Sequence, residues 1–384
     1  MEYTKIKEIN SYVSKSVNPA QMPDVVFEMY SVPTFETGHP EYLYGREIAS
    51  SKIVVKKNDI LLCKINPRIN RVWIVLDESD NPNIASSEWI VIRTDEYNPE
   101  FLAWYFRTPQ FQQRMMSEVT GIGGSLTRAQ PKRVAEYPVP VLDRQKQDRI
   151  ATVLNKIANI ISLRKQELKA YDELIKSRFI EMFGDPEQNP NGYPIKDFDE
   201  ISVLVTDGEH ATPHRTEKGI YLLSARNILN HALQLDDVDY IDEDEYARIA
   251  QRVVPQAGDV LISCSGSIGR CCVVPDGLQF QMVRSVALIR FDNTINPIFA
   301  EWLITSDELQ RQIALSATQS SQANLFQGKI RKLHGYVPPM EFQQEFVAFV
   351  EQTNKSKLTI QKSLDELETL NKALMQKYFG GNGV

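Results

Sequence analysis

The sequence predicts an α+β protein: two strand-rich domains, and two long helices that pair as an antiparallel coiled coil. Three observations predict it. The second half of the chain repeats the plan of the first. Each half passes from short β-forming segments into one long amphipathic stretch. Each stretch ends in Phe-Gly, at Phe183-Gly184 and Phe379-Gly380. The expected boundaries are 1–142 and 185–340 for the domains, with 143–184 and 341–384 for the helices.

The repeat is read from matched points. Asn58-Asp59-Ile60-Leu61 answers to Gly258-Asp259-Val260-Leu261, and Asn98-Pro99 to Asn296-Pro297. Phe101 and Trp104 pair with Phe299 and Trp302, Val139-Pro140 with Val337-Pro338, and Gln145 with Gln343. Most pairs keep a separation of about 200 residues, the mark of a duplicated architecture. Two unlike copies suit a ligand with two similar but non-identical ends.

Strand signals come first in each half. Lys52 to Lys64 alternates into Ile60-Leu61-Leu62-Cys63, followed by Arg71 to Leu76 and Glu88 to Arg93. The second half offers Asp259 to Cys264, Cys271 to Val274 and Val283 to Phe291. These are runs of strong β formers bounded by Asn, Gly, Pro and Asp. A short helix is expected after Pro99 and again after Pro297, since proline is well tolerated at the first helical position. The aromatics of these helices are expected in the core.

The long helices carry seven-residue periods. In the first, Leu154, Ile161, Leu168, Ile175 and Met182 form one row, and Ile150, Ile157, Arg164, Tyr171 and Arg178 a companion row. In the second the rows are Phe346, Thr353, Ile360, Leu367, Leu374 and Val350, Lys357, Leu364, Asn371, Tyr378. Such spacing keeps one seam on one face and favours a left-handed coiled coil. Polar residues within a seam fix register at some cost in stability. Antiparallel pairing would put the domains at opposite ends of a rod about 60 Å long, at ~1.5 Å per residue.

Composition narrows the ligand. The chain has 42% hydrophobic and 24% charged residues and a formal net charge of -7. It reads as globular, with no apolar run near the ~20 residues of a membrane span. Met1-Glu2-Tyr3-Thr4-Lys5 starts no signal peptide, and a cytoplasmic location is expected. Cys63, Cys264, Cys271 and Cys272 lack C-x-x-C spacing, which argues for small buried thiols and against a zinc site or disulfides. Much of the acidic excess lies in Asp236 to Glu245, expected to be a solvated loop and helix start facing away from any polyanion. A DNA binder of this charge would need a partner to neutralise much of the phosphate.

The loops hold the candidate chemistry. Lys64-Ile65-Asn66-Pro67-Arg68-Ile69-Asn70-Arg71 sets three cations and two amides about a proline turn. Arg and Lys match guanine edges and Asn matches adenine in the major groove; the same groups also hold phosphates. Gly121 to Gln130 is glycine- and hydroxyl-rich and carries Arg128. The second half answers with Ser263 to Arg270 and with Thr318 to Asn324. Catalytic patterns are weak. Gly266 to Arg270 lacks the Lys-Ser/Thr of a phosphate-binding loop. Asn66-Pro67-Arg68-Ile69 is similar to an amino-methyltransferase motif but misses its second proline and its aromatic. Glu167-Leu168-Lys169 lies on a long helix, where a nuclease site has no strand, and His210 and His214 have no third ligand at metal spacing.

Particular strings carry a family resemblance. In the second half these are Asp207-Gly208-Glu209-His210-Ala211-Thr212-Pro213, Ser224-Ala225-Arg226-Asn227-Ile228, Gly258-Asp259-Val260-Leu261 and Ser265-Gly266-Ser267-Ile268-Gly269. In the first half they are Tyr30-Ser31-Val32-Pro33, Gly45-Arg46-Glu47-Ile48 and Arg71-Val72-Trp73. In order and duplication they resemble the specificity subunit of a type I restriction–modification enzyme, over essentially the whole chain. The first half departs from the pattern by lacking the Asp-Gly-x-His and Ser-Gly-x-Ile-Gly strings.

The resemblance implies two target recognition domains that read a bipartite, asymmetric double-stranded DNA site, with the helices setting the unread spacer. It implies a non-catalytic chain. Methyltransferase subunits would dock on the helical region, and restriction subunits would join. S-adenosylmethionine, ATP and Mg belong to those partners, and no cofactor is expected here. The residues expected at DNA are Lys64, Asn66, Arg68, Arg71, Arg128, His210, Arg226, Arg270 and Gln322. Those expected at the partner are Arg164, Tyr171, Arg178, Lys357 and Asn371. The alternative is a coiled-coil scaffold whose two β-rich domains hold proteins or glycans.

Overall fold

The computed structural model describes residues 2–117, 119–120, 127–317 and 324–380. Gln322 lies outside the described residues, as do 121–126 and 318–323 of the two loop segments singled out above. The chain forms two compact units, Met1–Lys165 with Lys362–Val384, and Gln166–Gln361. Each unit therefore takes one strand-rich segment and half of each long helix.

In the first unit, strand Ile60–Cys63 is the middle of a three-stranded antiparallel sheet, between Val72–Ile74 and Trp89–Ile92. All four of its residues are buried. Their side chains alternate between two cores, as a period of two requires. Ile60 and Leu62 join a cluster with Phe101, Phe106, Leu154 and Phe379. Leu61 and Cys63 join one with Tyr30, Trp73 and Trp89. A five-stranded sheet adds Ser16–Val17, Lys52–Val54, Asn83–Ala85, Val26–Tyr30 and Glu41–Tyr44 in that order, the pair Val26–Tyr30 and Asn83–Ala85 being parallel.

The run from Lys52 to Lys64, read above as one alternating segment, is thus two strands in two sheets. Asn58 breaks it in the left-handed region at φ 69, which Asn tolerates better than most residues. The turn is held by Asp59, whose carboxylate accepts the Lys56 N–H at 2.9 Å and two guanidinium N–H groups of Arg93 at 2.7 and 2.6 Å.

The second unit repeats this frame. Strand Val260–Ser263 lies between Cys271–Val273 and Val286–Phe291, with Ser202–Asp207 beyond. Val260 and Ile262 face one core and Leu261 the other. Gly258 (φ 87) takes the place of Asn58, and Asp259 accepts from Gln256 N–H at 2.7 Å and from Arg290 at 2.7 and 2.8 Å. A three-stranded sheet, Asp239–Ile241, Ile220–Leu223 and Phe280–Met282, again contains one parallel pair. Val283 to Ser285, expected to open the last strand, form a turn before it instead; the strand starts at Val286.

The short helices form as their prolines predict, over Pro99–Phe106 and Pro297–Ile304. Asn98 accepts the N–H groups of Glu100 and Phe101, and Asn296 that of Ile298, so each cap satisfies donors the helix cannot. Phe101 and Phe299 are wholly buried. Gln147 and Gln343 tie each cap to a long helix, accepting the N–H of Asn98 at 2.8 Å and of Asn296 at 2.7 Å. Gln343 is therefore matched by Gln147, not by Gln145. Backbone bonding likewise matches Val337 with Val141, through Pro194 and Glu2, so the pairing with Val139 is two residues out.

The long helices run Arg144–Phe183 and Met340–Phe379. Every residue of the four predicted rows is buried or half-buried. In the first unit the start of the first helix packs against the end of the second: Leu154 shares a core with Phe379, and Lys165 pairs with Glu368 at 2.8 Å. In the second unit the end of the first helix packs against the start of the second, through Phe183 with Phe346 and Arg178 with Glu345. Both sets of contacts make the pair antiparallel. Among the described residues no helix is long and apolar enough to cross a membrane.

All four cysteines are free and buried. Burial pushes the Cys264 thiol up to about 12 and raises those of Cys63, Cys271 and Cys272.

Candidate nucleic-acid interface

Three separate segments of the first unit meet at the end of strand Ile60–Cys63. The turn 64–71 is closed by Cys63 N–H donating to the Arg71 carbonyl at 3.1 Å. Asn66 sits in the left-handed region at φ 46, and its side-chain oxygen accepts from Arg68 Nε at 3.3 Å. The second segment, 127–129, lies antiparallel to the turn: Ile65 bridges Arg128, Asn66 N–H donates to Thr127 O at 2.9 Å, and Ala129 N–H to Lys64 O at 2.8 Å. The third is Ser86 to Glu88. Lys64 donates to the Glu88 carbonyl through its N–H at 3.0 Å and to the Ser87 carbonyl through Nζ at 2.6 Å. The Glu88 carboxylate takes Arg128 Nε at 3.2 Å and Nη2 at 3.3 Å.

The structure thus brings Lys64, Asn66, Arg68 and Arg128 to one surface. Arg71 lies deeper, its side chain 15% exposed and its Nε 3.9 Å from Glu36 Oε1. Glu88 is the residue that the sequence reading missed. It stood inside a predicted strand, and only the folded partner Arg128 reveals its role. The pair is a planar donor fork held by a carboxylate, and a carboxylate also accepts from the cytosine amino group. Glu88→Gln is expected to change stability by only about 0.2–1 kcal/mol, the usual worth of an exposed pair. Thermal unfolding of the wild type and the variant checks this.

The second unit joins four loops by hydrogen bonds, two of them between backbone groups. Cys264 N–H donates to Ser285 O at 2.8 Å, Ala225 N–H to Ser285 Oγ at 3.1 Å, and Arg284 N–H to Glu209 O at 3.0 Å. Ser263 N–H donates to Arg270 O at 2.8 Å, as Cys63 does to Arg71, so the two arginines hold equivalent places. His210 lies 3.0 Å from Asp207 through Nε2, and Asp207 also accepts from Arg252 and Gln327. Arg226 donates to Asp239 at 2.9 Å. Arg270 has no carboxylate partner among the described residues, and exposed Arg284 is a further cation of this surface. The sequence hid Arg284 inside a predicted strand.

The acidic run does not simply face solvent. Asp239 holds Arg226 and Arg215 (3.0 Å), and Asp242 caps helix Glu243–Ala250 by accepting the Glu245 N–H. The Arg215 and Arg226 guanidinium groups pull Asp239 below its ordinary range against the opposing effect of burial. Part of the run therefore orients candidate cations, a pairing that charge counting along a sequence does not show.

The residues expected at a partner lie along the helix seam. Arg178 binds Glu181 and Glu345, each at 3.0 Å, Lys357 binds Asp172, and Arg164, Tyr171 and Asn371 are half-buried.

No family model matches the chain, and no curated protein matches it. Among solved structures, a chain studied for complex assembly and conformational transition of the type I restriction–modification system aligns with 100% of this chain and 98% of its own. Its TM-score is 0.58 and its identity 18%. The type I restriction–modification system S subunit from M. genitalium aligns over 98% of this chain and 95% of its own, with a TM-score of 0.60 and 13% identity. Over essentially its whole length, then, this chain is similar in fold to the S subunit of a type I restriction–modification system.

Proposed function

We propose that this chain is the DNA-recognition subunit of a type I restriction–modification complex. It binds a bipartite, asymmetric target: the domain at 1–142 reads one half-site, the domain at 185–340 the other, and the helices at 143–184 and 341–384 set the unread gap. One observation carries this reading. The same loop frame stands at the end of the middle strand in both units, yet it displays different side chains, Lys64, Asn66, Arg68 and Arg128 in one and His210, Arg226, Arg270 and Arg284 in the other. Equal frames with unequal tips suit unequal half-sites. Arg71 and Gln322 complete the residues assigned to DNA contact.

The chain recognises and does not react. Methyltransferase subunits dock on the helical region, at Arg164, Tyr171, Arg178, Lys357 and Asn371. They bring S-adenosylmethionine, and restriction subunits bring ATP and Mg. They also supply positive charge that a chain of net charge -7 lacks.

Salt titration of duplex binding, with and without a methyltransferase subunit, tests the reading: affinity should fall steeply with salt. Binding that ignores both duplex and salt would favour a protein scaffold. Arg68→Ala should cost about 1–3 kcal/mol of discrimination at one half-site. A uniform loss over all sequences would make Arg68 a phosphate contact instead.

A further inference from the structure

The second unit holds a cavity of ≈ 400 Å³ that the loops above do not use. Phe179, Ile180 and Trp302 give it an apolar bed, and Ala232 of the hairpin Ile228–Leu233 forms part of the wall. Carboxylates outnumber lysines along its rim. Lys357 is taken by Asp172, Lys176 by Asp307 at 3.3 Å, and Glu308 by Arg311 at 2.7 Å. Glu173 and Asp185 are exposed and have no basic partner among the described residues. The cavity therefore pairs an oily floor with uncompensated negative charge, which repels phosphate and suits a cation on an aliphatic stem.

A second observation comes from the duplicate. Trp302 is 8% exposed, and its indole N–H has no acceptor among the described residues. Its counterpart Trp104 donates to Asn155 at 2.7 Å and carries the Arg107 guanidinium 5.3 Å from its ring centroid. By the offsets of the two short helices and the two long ones, Thr305 stands at the place of Arg107 and Glu351 at that of Asn155. The first copy supplies a cation and an acceptor from its own chain. At the place of Arg107 the second copy has no cation, and His231 stacks on Trp302 instead, with ring centroids 3.9 Å apart.

We propose that this cavity receives a basic side chain, an arginine, from the methyltransferase subunit. The stem packs on Phe179 and Ile180, and the guanidinium meets the uncompensated carboxylates of the rim. This rests on the reading that such a subunit docks on the helical region.

The test measures the dissociation constant between the full chain and that subunit. Glu173→Gln with Asp185→Asn should weaken binding about tenfold, and Glu173→Lys with Asp185→Lys about a hundredfold, with a shallower salt dependence. Ala232→Trp, which fills the cavity from an exposed position, should weaken it at least as much as the neutral pair. All three positions are exposed, so thermal unfolding should be unchanged. Equal affinity of wild type and both double variants would overturn the cavity proposal and leave the proposed function standing. Absence of binding by the wild-type chain would overturn both.

Discussion

Arg93→Ala and Arg290→Ala should each remove about 3–5 kcal/mol of stability, because each strands a buried carboxylate. Asp59 and Asp259 have side chains only 0% and 2% exposed, and each accepts two guanidinium bonds in the same geometry. The carboxylates in turn raise both arginines above their ordinary range. Removing the cation leaves an anion with too few donors in a low-dielectric setting, and that penalty exceeds the modest net worth of the intact pair. The backbone N–H groups of Lys56 and Gln256 remain as partners, which sets the upper limit on the loss. Urea denaturation followed by tryptophan fluorescence would measure it. A loss below about 1 kcal/mol would place the pairs among exposed surface contacts and remove the claim that they lock the turn before each middle strand. The link to function is direct, since that strand ends in the candidate recognition loops.

Phe346→Ala should be comparably severe, costing about 3–5 kcal/mol for a large buried aromatic. Phe346 is wholly buried, with ring centroids 5.4 Å from Phe179, 5.6 Å from Phe183 and 6.2 Å from Trp302. It joins the start of the second long helix to the end of the first, and both to the core of the second unit. Truncation opens a cavity that three rings cannot close without leaving their packed positions. Leu370→Ala is the control: at 47% exposure on the same helix it should cost far less. Equal losses for the two variants, read by thermal unfolding, would mean that the helix is held by its propensity and not by this cluster.

The duplication and the helical periods are legible in the order of residues alone. Seven-residue rows mark a seam that must be covered, by a second helix or by the helix's own domain. Every row residue from Ile150 to Tyr378 is buried or half-buried, and at Leu154 and Phe346 the cover includes the strand-rich cores as well as the partner helix. Alternation at Ile60 to Cys63 and Val260 to Ser263, and the Asn-Pro helix starts, were legible because each is a local rule of backbone geometry. Tertiary structure decided the rest. The break at Asn58, the match of Gln343 with Gln147, the Glu88 clamp on Arg128 and the Asp239 hold on Arg226 all depend on residues distant in the chain or on a single left-handed backbone angle. A carboxylate's sign is visible in a sequence; which cation it orients is fixed only when folding brings the two within hydrogen-bond reach.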